Sequence, residues 1–231
     1  MFDISPTEWT AILLSLRVAT VATLVATPLG IAVGWLLARR EFWGKSLLDA
    51  VIHLPLVLPP VVTGYLLLLT FGRRGAVGAW LAEHLGIVFA FRWTGAALAC
   101  GIMSFPLLVR PIRLSIEAVD RRLEQAAMTL GAAPWQVFLT VTLPLALSGV
   151  LAGMVLGFAK ALGEFGATIT FVSNIPGETQ TISSAIYALI QTPDGDAAAL
   201  RLVVVSIVIA TAALIASEWF ARRAVLRLHG N

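Results

Sequence analysis

Residues 123–144 read LEQAAMTLGAAPWQVFLTVTLP, a polar, helix-forming island in an otherwise oily chain. Glu124, Gln125, Ala126 and Ala127 favour helix, and Gly131 is placed to stop that helix or turn it sharply. Pro134 can open a second helix at its first turn, where no amide donor is needed, and Pro144 stands at the mouth of a long apolar run. A short helix, a glycine bend and a second helix, set between two hydrophobic spans, predict a knob outside the lipid. Such a knob is suited to docking another protein.

Working outward, composition fixes the class. The 231 residues are 58% hydrophobic and 13% charged, with mean hydropathy +0.90. Soluble domains carry about 25% charged residues, so this chain has roughly half the usual supply. The expectation is an all-α, polytopic membrane helix bundle forming one domain over 1–231, with the polar elbow at 117–144. Cys100 is the single cysteine, which excludes an internal disulfide. The first residues contain Asp3 and Glu8 but no basic flank, so the first apolar run is expected to be a retained span rather than a cleaved signal.

Five spans are expected. The first, 11–38, contains Pro28 and a Gly30/Gly34 pair, has Arg17 near its start, and ends at Arg39 and Arg40. The second, 47–71, is interrupted by His53, Pro55, Pro59 and Pro60. Prolines free backbone carbonyls that lipid cannot satisfy, so this segment is expected inside the bundle. The connection 72–93 reads as a short interfacial helix with Trp80 and Trp93 as headgroup anchors. The third span is 94–116. The fourth, 144–172, carries Gly149, Gly153 and Gly157 at four-residue spacing and is broken by GEFG at 163–166. A polar excursion with an amphipathic middle, 174–199, leads to the fifth, 200–220. With the N-terminus outside, the inner loops hold Arg39, Arg40, Lys45, Arg110, Arg113, Arg121, Arg122, Arg222, Arg223 and Arg227. The outer ones hold only Arg73, Arg74, Arg92 and Arg201. The positive-inside rule therefore puts the elbow and the C-terminus in the cytoplasm.

Several chemistries are poorly supported. Gly44-Lys45-Ser46 ends like a Walker A loop, but Arg39 stands where its first glycine is required, so ATP must be hydrolysed by another subunit if this chain drives uptake. His53, His84 and His229 lie far apart without metal-ligand spacing, so no metal or cofactor is expected. An intramembrane hydrolase using His53 or Glu164 and a passive channel are the alternatives from other classes. Glu164 follows Lys160 by one helical turn. The pair reads either as an ion pair fixing the helix or as a pathway position, since carboxylates at depth face the bundle interior.

Gln125-Ala126-Ala127, three residues, Gly131, nine residues, then Val141-Thr142-Leu143-Pro144 resembles the EAA loop of ABC importer permeases. Gln125 stands where that pattern has glutamate, with Glu124 just before it, and Val141 stands for isoleucine. GEFG at 163–166, PGET at 176–179, HLPLVLPP in the second span and SFPL at 104–107 are similar to the oxyanion branch, the molybdate and sulfate permeases. The resemblance runs from about Glu8 to Phe220. It implies a bacterial inner-membrane permease working as a homodimer with two ABC ATPases beneath and a periplasmic or surface oxyanion-binding protein above. Nucleic acid has no part in it. Glu124, Gln125, Ala126, Ala127, Gly131, Leu143 and Pro144 would contact the ATPase. A tetrahedral dianion needs a path of hydroxyls and amides weak enough to leave, and Glu164, Thr168, Thr170, Ser173 and Asn174 are candidates for it. Molybdate is the expected substrate, with sulfate, thiosulfate and tungstate as alternatives.

Overall fold

The computed structural model describes residues 4–228, and side chains through residue 216. His229 lies outside the described residues, as do the side chains of Arg222, Arg223 and Arg227.

The first helix, α1 (Pro6–Arg39), opens on a capping box: Ser5 Oγ accepts from Glu8 N–H, and Glu8 Oε2 accepts from Ser5 N–H at 2.6 Å. From Arg17 to Arg39 it is about 33 Å long at the helical rise per residue, close to the ~30 Å hydrocarbon core. The two arginines thus bracket one bilayer thickness. Before Arg17, Ala11 and Ile12 pack on Ile182, Ala185 and Leu202. There Ser15 Oγ accepts from Ile182 N–H at 2.7 Å, and Arg201 pairs with Glu8 at 2.9 Å.

The central element is α5 (Trp93–Ala118), continuous through Pro106 and Pro111. Leu108, Val109, Ile112 and Ile116 on it are wholly buried. Glycines flank this helix on two sides. Gly30 and Gly34 of α1 face Leu108 and Ile112. On the other side lie Gly149, Gly153 and Gly157 of α9 (Leu147–Leu162). A Cβ at Gly153 would stand 2.5 Å from the Leu108 carbonyl oxygen, and one at Gly149 2.6 Å from that of Pro111, so the helices approach within a distance only glycine permits. This close contact of Gly149 and Gly153 with α5 is made within one chain.

The second span differs from expectation. It consists of α2 (Lys45–Val57) and α3 (Pro60–Phe71), bent by 114°. Leu58 and Pro59, each preceding a proline, are both extended, and two extended residues in a row turn the chain. Only Ile52 of α2 is buried, while Leu47, Val51 and Val57 are exposed, so α2 lies on the outside of the single chain rather than inside the bundle. Its tether is Arg113 Nη1 to Asp49 Oδ1 at 3.1 Å. The connection carries α4 (Ala76–Leu85) with Trp80 exposed, as an interfacial helix should.

After α6 (Arg121–Thr129) come α7 (Pro134–Val137), a π turn (Phe138–Thr142) and α8 (Leu143–Leu145). The fourth span begins earlier than residue 144: Pro134–Leu145 runs into Leu147–Leu162 at 69°. Then follow α10 (Gly166–Val172), α11 (Ile182–Leu189) and α12 (Asp196–Leu228). Among the described residues 3 helices are long and apolar enough to cross a membrane, or up to 5 spans when each bent pair counts as one. The bundle is all-α, and the five-span reading agrees with it.

Candidate functional site

The elbow is built by local rules. Asp120 Oδ1 accepts from Arg122 N–H at 2.9 Å and starts α6. Gly131 ends it with φ +89°, while Ala132 N–H donates to Ala127 O and Gly131 N–H to Met128 O. Those two bonds make a Schellman motif, which requires a left-handed residue at the glycine. Gln136 Oε1 then accepts from Ala133 N–H at 2.8 Å and opens the next helix at Pro134. Gln125, Ala126 and Gly131 are exposed, and Ala127, Leu143 and Pro144 are half-buried. Beside them Leu130 is 89% exposed and Trp135 65%, with Met128 and Leu139 also in the open. Met128 and Leu130 thus stand in the open at the end of the polar helix α6, with Trp135 and Leu139 following on the next segment.

Glu124 is different: it faces the protein. Its Oε1 accepts from Arg39 Nε at 3.2 Å and from Thr142 Oγ1 at 2.6 Å, and lies 3.0 Å from Arg39 Nη2 in an ion pair. Arg39 also donates to the Val119 carbonyl at 3.0 Å. The Arg39 and Glu124 side chains are only 9% and 13% exposed. One carboxylate thus ties α6 to the end of α1 and to the π turn that leads into α9.

The candidate interior residues are gathered at the opposite side of the bundle. Glu164 is 2% exposed; its Oε2 accepts from Lys160 Nζ at 2.6 Å and its Oε1 from Ala167 N–H at 3.0 Å. It therefore holds Lys160 and starts α10 at once. Thr168 Oγ1 donates to Phe165 O and Thr170 Oγ1 to Gly166 O, back along their own helix. Ser173 has φ +65°, and its carbonyl accepts from Thr179 Oγ1. Asn174 Nδ2 reaches Ser184 O at 3.5 Å, and its Oδ1 has no partner. Gly64 of α3 packs against Ala167, which joins the two broken spans at this level.

Arg39, Thr142 and Arg113 did not emerge from the sequence as site residues. Arg39 and Arg113 were legible as loop charge, but their partners lie far along the chain, and no local pattern names them. Among the described residues no cluster of His, Cys, Asp and Glu could hold a metal ion.

The chain belongs to the family of binding-protein-dependent transport system inner membrane components, whose pattern matches residues 26–225. It is therefore a multi-pass inner-membrane transport subunit, not an enzyme. It is 62% identical over 215 residues to the molybdenum transport system permease protein ModB of Escherichia coli K12, covering 93% of this chain and 94% of that one. To the protein of the same description from Haemophilus influenzae it is 57% identical over 225 residues, 97% and 98% of the two chains. A crystal structure of a bacterial ABC transporter that imports alginate superposes with TM-score 0.74 at 18% identity, over 95% of this chain and 80% of that one, which speaks for the fold.

Proposed function

We propose that this chain is the membrane permease of an ATP-driven molybdate importer. The observation that carries the reading is the 62% identity to a molybdenum permease over nearly the whole of both chains. The chain works as a homodimer, with the N-terminus outside and the C-terminus in the cytoplasm. Two ATPase subunits dock on the elbows, taking the apolar rim of Met128, Leu130 and Trp135 and the exposed Gln125 and Ala126. A substrate-binding protein meets the other side, where the start of α1, α11 and the start of α12 form a cap.

The work is mechanical. ATP-driven closure of the ATPases draws the two elbows together, and the Glu124–Arg39–Thr142 node passes that displacement to α1 and α9. The oxyanion crosses between the two chains along a path to which Glu164, Thr168, Thr170, Ser173 and Asn174 contribute. Glu164 acts there by holding Lys160 in place, so the cation is neutralised and cannot trap a dianion. The test is uptake into vesicles holding permease, ATPase and binding protein. Molybdate accumulation should require ATP, and excess tungstate should compete better than sulfate. Uptake without nucleotide would favour the channel, and preferential sulfate uptake would move the chain to the sulfate branch.

A further inference from the structure

Between α1, α2 and α5 lies an open groove of about 580 Å³. Its walls are apolar: Val25 and Leu29 from α1, Ile52 from α2, and Leu98, Gly101 and Phe105 from α5. Trp93 closes it at the end away from the elbow. From Trp93 to Phe105 it is about 18 Å long, slightly more than half of a ~30 Å hydrocarbon core, so it spans one leaflet.

A cation stands at its mouth. The Arg17 guanidinium lies 3.8 Å from the Trp93 ring centroid and is exposed. Among the described residues neither Arg17 nor the exposed Arg92 beside Trp93 has a carboxylate partner. Glu164, the carboxylate buried inside the bundle, is already engaged by Lys160, and Asp49 and Glu117 are held by Arg113. A phospholipid brings both parts, a phosphodiester at headgroup level and an acyl chain of one leaflet's length.

We infer that the groove is a phospholipid site, with one acyl chain lying along α5 and the phosphate on Arg17, in the leaflet opposite the elbow. Lipid tails are as apolar as the groove, so the chain gains packing rather than dehydration, and preference comes from the headgroup. This site depends on membrane insertion alone and stands whichever anion is transported.

The test is native mass spectrometry of the full permease in its transporter assembly, titrated with dipalmitoyl phosphatidylglycerol. The wild-type chain should bind one lipid saturably. A Cβ at Gly101 would meet only Ala22 O at 3.8 Å and Ala22 Cβ at 3.9 Å, ordinary contacts, so Gly101→Leu should fold normally and fill the groove. It should abolish the saturable lipid. Arg17→Gln, on an exposed surface position, should weaken phosphatidylglycerol binding roughly five-fold, the effect of one interfacial charge. An undiminished lipid count in Gly101→Leu, or equal affinity in Arg17→Gln, would overturn the inference. So would efficient disulfide formation between copies carrying Val25→Cys in native membranes, since the groove would then be seated on a second protein chain.

Discussion

Replacing Glu124 by alanine should release the elbow without unfolding the bundle. The substitution removes two hydrogen bonds, from Arg39 Nε at 3.2 Å and Thr142 Oγ1 at 2.6 Å, together with the ion-pair contact to Arg39 Nη2 at 3.0 Å. It also leaves the largely buried Arg39 with the Val119 carbonyl as its remaining acceptor. Breaking a buried pair on one side costs 3–5 kcal/mol in general, and a charged hydrogen bond contributes 1.5–3. With one bond of Arg39 kept, we take about 2–4 kcal/mol for the docking of α6. That cost falls on local opening. At about 1.4 kcal/mol per factor of ten, amide exchange in Arg121–Thr129 should quicken roughly thirty-fold or more, while exchange in α5 stays slow. A second variant separates charge from mere truncation. Replacing both partners, Arg39→Met with Glu124→Leu, leaves no orphaned charge and should restore most of the protection. Unchanged α6 exchange in Glu124→Ala, or a double variant as open as the single one, would refute the anchor.

Gly131→Val should leave the chain in the membrane at normal level but cost the elbow roughly 1–2 kcal/mol, because φ is +89° although no heavy atom lies within 4 Å of the added Cβ. With Ala127→Glu it should abolish co-purification of the ATPase or uncouple hydrolysis from uptake, and normal coupled uptake in both would sink the docking assignment. Gly153→Leu puts a side chain against the Leu108 carbonyl and should lower thermal stability in detergent by at least about 1–3 kcal/mol; an unshifted melting curve would contradict the packing. Single cysteines at the exposed Gln125 and Asp194 should be labelled from opposite sides, Gln125 from the cytoplasm, and same-side labelling would overturn the orientation.

What was legible in the sequence divides along the range of the interaction. The elbow was readable because its rules are local: Gly131 as the left-handed stop, Pro134 as a helix start, polar residues between two spans. The glycine stripe of α9 was readable as a smooth face, yet nothing in it names α5 as the partner, because contact depends on how the spans fold back. Pro59 and Pro60 announced an interruption, but hydropathy carries no angle, and a 114° turn looks the same as a kink along the chain. Arg39 read as loop charge, and the carboxylate it meets lies 85 residues later. Gln125 stands where the resembled motif has glutamate; in the fold Gln125 is exposed and the neighbouring Glu124 carries the anchor.

The same contacts decide which parts of the chain can move as one. Glu124 joins α6 to the end of α1 and to Thr142 at the π turn. The π turn continues through α8 into α9, whose glycines lock on α5, and the glycines of α1 lock on the same residues from the other side. Arg113 of α5 then holds Asp49 of α2. Leu108 and Ile112 are wholly buried between two backbones at glycine distance, so the layers have no slack in which to slide. A displacement applied at the elbow is therefore delivered to α1, α5, α9 and α2 together. The helical ladder is interrupted along this route at Ala146, where Pro134–Leu145 meets Leu147–Leu162 at 69°, at Leu58 and Pro59, and at 163–165. Beyond the last two breaks α3 and α10 pack on each other through Gly64 and Ala167. Relative motion between that body and the α3–α10 pair would be concentrated at these last two breaks, where the regular helical ladder is already interrupted, while the intact helices stay rigid.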